Sequence, residues 1–149
     1  PAPDEPARLA RAAATLPPHH PELPAAVNHA VFLRGSARRR AGGLDAASYA
    51  SWHAALVDLS LRMAGLGWRN VLCETAFVAR GGEGMPLGDD VDTLAARWPT
   101  WHARLAHFLM QDPLHTLRAA LGHAYDNAEL RTQPDLFTVD AARGDEAAP

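Results

Sequence analysis

WHAALVDLSLRMAGLGWRNVL, residues 52–72, is the stretch whose reading decides the fold. Trp52, Leu56, Leu59, Leu61, Met63 and Leu66 recur at helical spacing, and Gly65 and Gly67 stop the pattern, which predicts a helix from about His53 to Ala64. Directly after it, Asn70-Val71-Leu72-Cys73 and Ala76-Phe77-Val78 read as two short β segments, followed by a glycine-rich loop from Arg80 to Gly88. Upstream, Ala26-Val27-Asn28-His29-Ala30-Val31-Phe32-Leu33 is short, largely apolar and closed by Arg34-Gly35, the pattern of a mostly buried strand. Ser36 is placed to cap an arginine-rich turn that Gly42-Gly43 breaks, and Leu44-Asp45 opens a loop. The order β, helix, β predicts an α/β unit, and so few strands point to half of a sheet whose remainder lies elsewhere.

Working outward, Pro17, Pro18, Pro21 and Pro24 cannot sit inside a helix, so residues 1–24 read as a proline-rich, disordered linker in which Arg8 to Ala14 has room for one short helical turn. His19 and His20 stand in that cluster and read as solvent-exposed rather than as metal ligands. The last third is helical. Asp89 or Asp90 caps a segment ending near Arg97, Pro99 starts another carrying Trp101, Leu105, Phe108 and Leu109, and Asp112-Pro113 starts a third with Leu114, Leu117, Leu121 and Tyr125. Residues 131–149 turn polar and small, the mark of a flexible tail with one possible anchor at Leu136-Phe137. The ordered domain is thus expected over residues 25–130.

A chain of 149 residues with 48% apolar content is one globular domain, long enough to bury about two thirds of its unfolded surface without crosslinks. Cys73 is the only cysteine, which excludes an internal disulfide framework and a four-cysteine zinc site and suits a reducing compartment; within its apolar segment it reads as a small core residue. All 14 basic residues are arginine against 17 acidic ones, a net charge of -3 that offers no general attraction to phosphate backbones. No apolar run approaches the roughly 20 residues of a membrane span. Pro1 in place of an initial Met is what a piece of a longer product would show.

Single constellations are bland. Arg38-Arg39-Arg40 with Arg34 has no interleaved aromatics and reads as a solvated helix face rather than a nucleic-acid surface. Two metal-binding histidines on one helix need a spacing of three or four, yet His102 and His107 are five apart and His115 and His123 eight apart. Gly81-Gly82-Glu83-Gly84 is too loose for a phosphate loop. No Gly-x-Ser-x-Gly or Walker-type motif occurs.

The order of features from Val27 to Leu121 carries more. Phe32-Leu33-Arg34, then Gly42-Gly43-Leu44-Asp45, then Asp58-Leu59-Ser60-Leu61-Arg62, then Gly67-Trp68-Arg69-Asn70-Val71-Leu72, with Arg97-Trp98-Pro99 and Asp112-Pro113-Leu114 downstream, resembles the C-terminal half of bacterial family 2 glycosyltransferases. These are inverting enzymes with a Rossmann-like A-type fold. The resemblance covers about two thirds of the chain. It implies the acceptor-side half of that fold with a helical C-terminal extension, and an ancestral transfer of a hexose from a nucleotide diphosphate sugar to a glycan or lipid-linked acceptor. It also implies a divalent metal, Mg or Mn, and a location in the cytoplasm or at the inner face of the membrane.

The departures fall on the family's working residues. The acidic pair that includes the general base should stand three and two residues before Asp58, where this chain has Ala55 and Leu56, and a catalytic carboxylate is worth roughly 10²- to 10⁴-fold in rate. The family's metal-holding Val-x-His becomes Val78-Ala79-Arg80; arginine does not ligate metal, though its guanidinium can contact a diphosphate. Asp89-Asp90-Val91-Asp92 contains an Asp-x-Asp string on the wrong side of the fold order and reads as a helix cap. The expectation is therefore a degenerate or partial transferase that binds an acceptor or a protein partner, does not hold the metal by itself, and lacks the nucleotide-binding half. In a divergent active form, Asp58 takes the proton and Arg80 meets the diphosphate; otherwise Asp58 simply pairs with Arg62. The competing expectation is a non-catalytic interaction module using the helical C-terminal region, with Trp98, Trp101 and Phe108 on its face. If the ancestral site persists, acidic residues restored at positions 55 and 56 should raise sugar transfer.

Overall fold

The computed structural model describes residues 5–26, 30–81 and 87–130. Among them the chain forms six helices and one two-stranded antiparallel sheet, in the order α1 (Glu5–Ala14), β1 (Glu22–Leu23), α2 (Gly35–Arg40), α3 (Trp52–Gly65), β2 (Asn70–Val71), α4 (Gly88–Arg97), α5 (Trp101–Gln111) and α6 (His115–Leu130). In β1 and β2, Glu22 pairs with Val71 and Leu23 with Asn70.

Helix α3 is the axis. Its N-cap is Ser51, whose hydroxyl accepts the Ala54 N–H at 3.2 Å. It ends in a Schellman turn: Gly67 N–H donates to Ala64 O and Trp68 N–H to Met63 O, with Gly67 at φ 87°, a conformation that costs glycine nothing. Everything from Ala54 to Leu61, and Met63, is buried. One side of the helix packs Ala54, Ala55, Val57 and Leu61 with Ala25, Tyr49, Leu94 of α4 and Trp101 of α5; another packs Leu59 and Met63 with Ala37 of α2. A helix apolar nearly all round is a core helix, surrounded rather than laid on a surface.

The expected α/β unit is corrected by this structure: the chain is mainly helical, not half of a Rossmann-like sheet. Of the predicted strand 26–33, residues 27–29 lie outside the described ones; Ala30 to Leu33 is coil, with Val31 37% and Phe32 99% exposed. Ala76-Phe77-Val78 is likewise exposed coil. The physical reason is pairing. A strand needs neighbours to take its N–H and C=O groups, and within this chain the sole pairing among the described residues is the two-residue ladder that Asn70-Val71 makes with Glu22-Leu23.

Those partners come from the expected linker. Residues 5–23 of it hold α1 and β1, and α1 packs on α6. There the Arg8 guanidinium lies 3.6 Å from the Tyr125 ring centroid while its Nε and Nη2 donate to Tyr125 O at 3.0 and 2.9 Å. The four prolines from 17 to 24 do exclude helix, as expected. Helices α4, α5 and α6 stand where the period and punctuation put them. Asp112, at φ 45°, closes α5. The expected Ser36 cap is not made: Arg34 is the N-cap residue of α2, with no side-chain cap, and its guanidinium lies over Trp68. Trp52 and Leu66, counted on the apolar face, are 56% and 47% exposed at the two ends of α3. Cys73 is exposed rather than a core residue. The tail 131–149 and its Leu136-Phe137 anchor lie outside the described residues. No helix of the described residues is long and apolar enough to cross a membrane.

Because Leu56 is 1% exposed at the centre of α3, Leu56→Ala should lower stability by about 2–5 kcal/mol, read as a shift of the urea midpoint at unchanged slope.

Candidate functional site

The motifs that carry the sequence resemblance converge on one carboxylate. Asp58 is wholly buried in α3. Its Oδ2 accepts Arg62 Nε at 2.8 Å, the i,i+4 neighbour on the same face. Its Oδ1 accepts Trp98 Nε1 at 2.9 Å, Arg97 Nη1 at 3.2 Å and the Tyr49 hydroxyl at 3.3 Å. Four donors from α3, from the end of α4 and from the loop before α3 therefore close on two oxygens.

The second ring of contacts ties the surrounding turns to this group. Arg62 Nη2 donates to Gly43 O at 2.7 Å, and Nη1 donates to Ala41 O. Gly42 and Gly43 have φ of 84° and 76°, and this left-handed pair swings the backbone so that the carbonyls on either side of Gly42 meet the guanidinium. Arg97 Nη1 also reaches Asp45 Oδ2 at 2.9 Å. Hydrogen bonding from Arg97, then from Ser48, holds the Asp45 carboxyl down to about 2. Arg97 is correspondingly raised above its ordinary value, first by Asp45. Burial pushes the Tyr49 hydroxyl up, so it stays a donor.

Asp90 fixes the other end. It is buried in the first turn of α4 and accepts the N–H of Ala50 at 2.9 Å and of Ser51 at 2.7 Å; the Ser51 side chain first, and then these two N–H groups, hold its carboxyl below the usual range against the effect of burial. The Asp89-Asp90 pair was expected to cap its own helix. The N-cap residue of α4 is instead Leu87, without a side-chain cap, and Asp90 serves the approach to α3.

Above Asp58 the surface opens into a recess lined by Gly42, Gly43, Leu44, Asp45, Arg62 and Arg97. Arg62, Arg97 and Asp45 present polar groups to it, and both guanidiniums are already paired with the buried Asp58. Arg80, the expected diphosphate contact, lies on exposed coil after β2 and lines no part of it. Ala55 and Leu56, where acidic residues were to be restored, are 5% and 1% exposed, so carboxylates there would enter the core and not a site; that expectation is withdrawn. Among the described residues no group of three His, Cys, Asp or Glu side chains converges to hold a metal. Sequence reasoning found Asp58 and Arg62 by spacing, but not Tyr49, nor the roles of Asp45, Arg97 and Trp98. Compared with protein-family models, curated proteins and solved structures, the chain matches none of them.

Two outcomes are expected. Asp58→Ala leaves Arg62 without its carboxylate and Trp98 Nε1 without its acceptor, and should cost about 3–5 kcal/mol in chemical denaturation, the loss typical of a broken buried pair. For pH, Asp45 and Asp90 are depressed when folded, so their contribution is present above the unfolded value of 3.8 and is lost as pH falls below it, for Asp45 toward about 2. Denaturation midpoints should fall over that acid range, and less steeply in Asp45→Asn.

Proposed function

We propose that the chain is a non-catalytic binding domain of family 2 glycosyltransferase type, which offers the recess over Asp58 to the hydroxyl groups of a glycan acceptor and transfers no sugar by itself. The observation that carries this reading is the complete burial of Asp58 among four donors. A general base must reach the acceptor hydroxyl; this carboxylate has no exposed surface and already accepts from Arg62, Arg97, Trp98 and Tyr49. The positions of the family's acidic pair are core alanine and leucine.

Support for a hydroxylated ligand comes from the recess itself. Asp45 and Arg97 at its rim are 24% and 42% exposed, a carboxylate acceptor and a guanidinium donor side by side. Their charges are already paired, so a phosphate would have to displace Asp45 from Arg97, whereas neutral hydroxyls can bridge both. Nucleotide diphosphate sugar, with the metal that accompanies it, would then belong to a separate nucleotide-binding half.

A second reading, a protein-interaction module built on the C-terminal helices, is favoured by Leu109 and Met110, 66% and 79% exposed on α5. Its face differs from the expected one: Trp101 is buried, and Trp98 and Phe108 are partly so.

Calorimetric titration with neutral oligosaccharides should give saturable binding that Asp45→Asn weakens by about tenfold, while a nucleotide-sugar turnover assay stays at background. Turnover that disappears in Asp58→Asn, with the fold intact by circular dichroism, would contradict the non-catalytic reading. No response to any glycan, together with concentration-dependent self-association lost in Met110→Glu, would favour the second.

A further inference from the structure

Glu74 is a buried carboxylate that the recess does not use. It follows β2, and its side chain is 1% exposed. Its Oε1 accepts the backbone N–H of His20 at 2.8 Å and the adjacent N–H of His19. Successive N–H groups around a left-handed residue form a cradle for an anion, and His20, at φ 50°, is such a residue. The other oxygen, Oε2, is buried and accepts no hydrogen bond. His20 Nδ1 stands 3.4 Å from it, beyond good hydrogen-bond length.

We propose that His20 Nδ1 and Glu74 Oε2 chelate a divalent transition metal of the zinc class. Zinc bonds of about 2.0–2.1 Å to imidazole nitrogen and 2.0–2.2 Å to carboxylate oxygen, at a tetrahedral angle, set the two donor atoms about 3.4 Å apart. That is the separation seen here. The second oxygen of the carboxylate is oriented by two N–H donors, the arrangement that fixes a metal ligand. An imidazole donor selects zinc, nickel or copper over magnesium and calcium, which prefer oxygen alone. The His20 side chain is 54% exposed, so the pair opens to water on the imidazole side. With no third protein ligand among the described residues, the site is open and weaker than a closed structural one.

The test is isothermal titration of the full chain with zinc chloride at pH 7, on the wild type and on His20→Asn, Glu74→Gln and His19→Asn. One zinc per chain should bind to the wild type and to His19→Asn, and at least tenfold more weakly to the other two. His20→Asn changes a half-exposed side chain and keeps the backbone cradle, so it decides the matter even if Glu74→Gln fails to fold. Absence of zinc binding in the wild type, or equal binding in His20→Asn, would overturn the proposal.

Discussion

Burying one carboxylate in the middle of a core helix is the constraint on which the rest of this structure depends. An unpaired charge at Asp58 would be prohibitive, so the fold must deliver donors to it, and each donor fixes a separate piece of chain. Arg62 brings the Gly42-Gly43 turn by holding carbonyls on both sides of Gly42. Trp98 and Arg97 bring the end of α4, and with it Asp45. Tyr49 seats the loop that leads into α3, whose backbone Asp90 grips from the other side. The segment from Ala41 to Ser51 has neither helix nor strand, so this polar network does what a ladder of strands would do in a sheet protein: it sets where that connection lies.

How much of this was legible depends on the range of the interaction. Helix α3 and its Schellman stop were written in a local period and two glycines, and α4, α5 and α6 in proline and aspartate punctuation. The Asp58–Arg62 pair was legible because four residues on a helix make neighbours. Trp98 and Arg97, 40 and 39 residues away, were not, because no local rule says which indole or guanidinium a fold will fetch. The strands failed for the complementary reason. Val31-Phe32 and Phe77-Val78 have strand-like composition, but a strand is a relation between segments, and composition does not name the partner. Glu22-Leu23, hidden among prolines, had no strand signature and nevertheless supplies the partner of Asn70-Val71.

The motifs share one network of contacts. Gly42-Gly43-Leu44-Asp45, Asp58-Leu59-Ser60-Leu61-Arg62 and Arg97-Trp98 are scattered in sequence and adjacent in space. Their mutual contacts give a physical reason for them to occur together in one chain, independent of any catalytic duty. Ala55 and Leu56 next to them belong to the apolar core.

A double-mutant cycle between Asp58→Ala and Trp98→Phe, measured by urea denaturation, tests the central claim most directly. If Asp58 is the pin that gathers these segments, the two substitutions should couple by more than about 1 kcal/mol, because each removes one end of the same buried hydrogen bond. Additivity within about 0.3–0.5 kcal/mol would show that the two residues do not depend on each other, and the account of Asp58 as the organising group would be wrong.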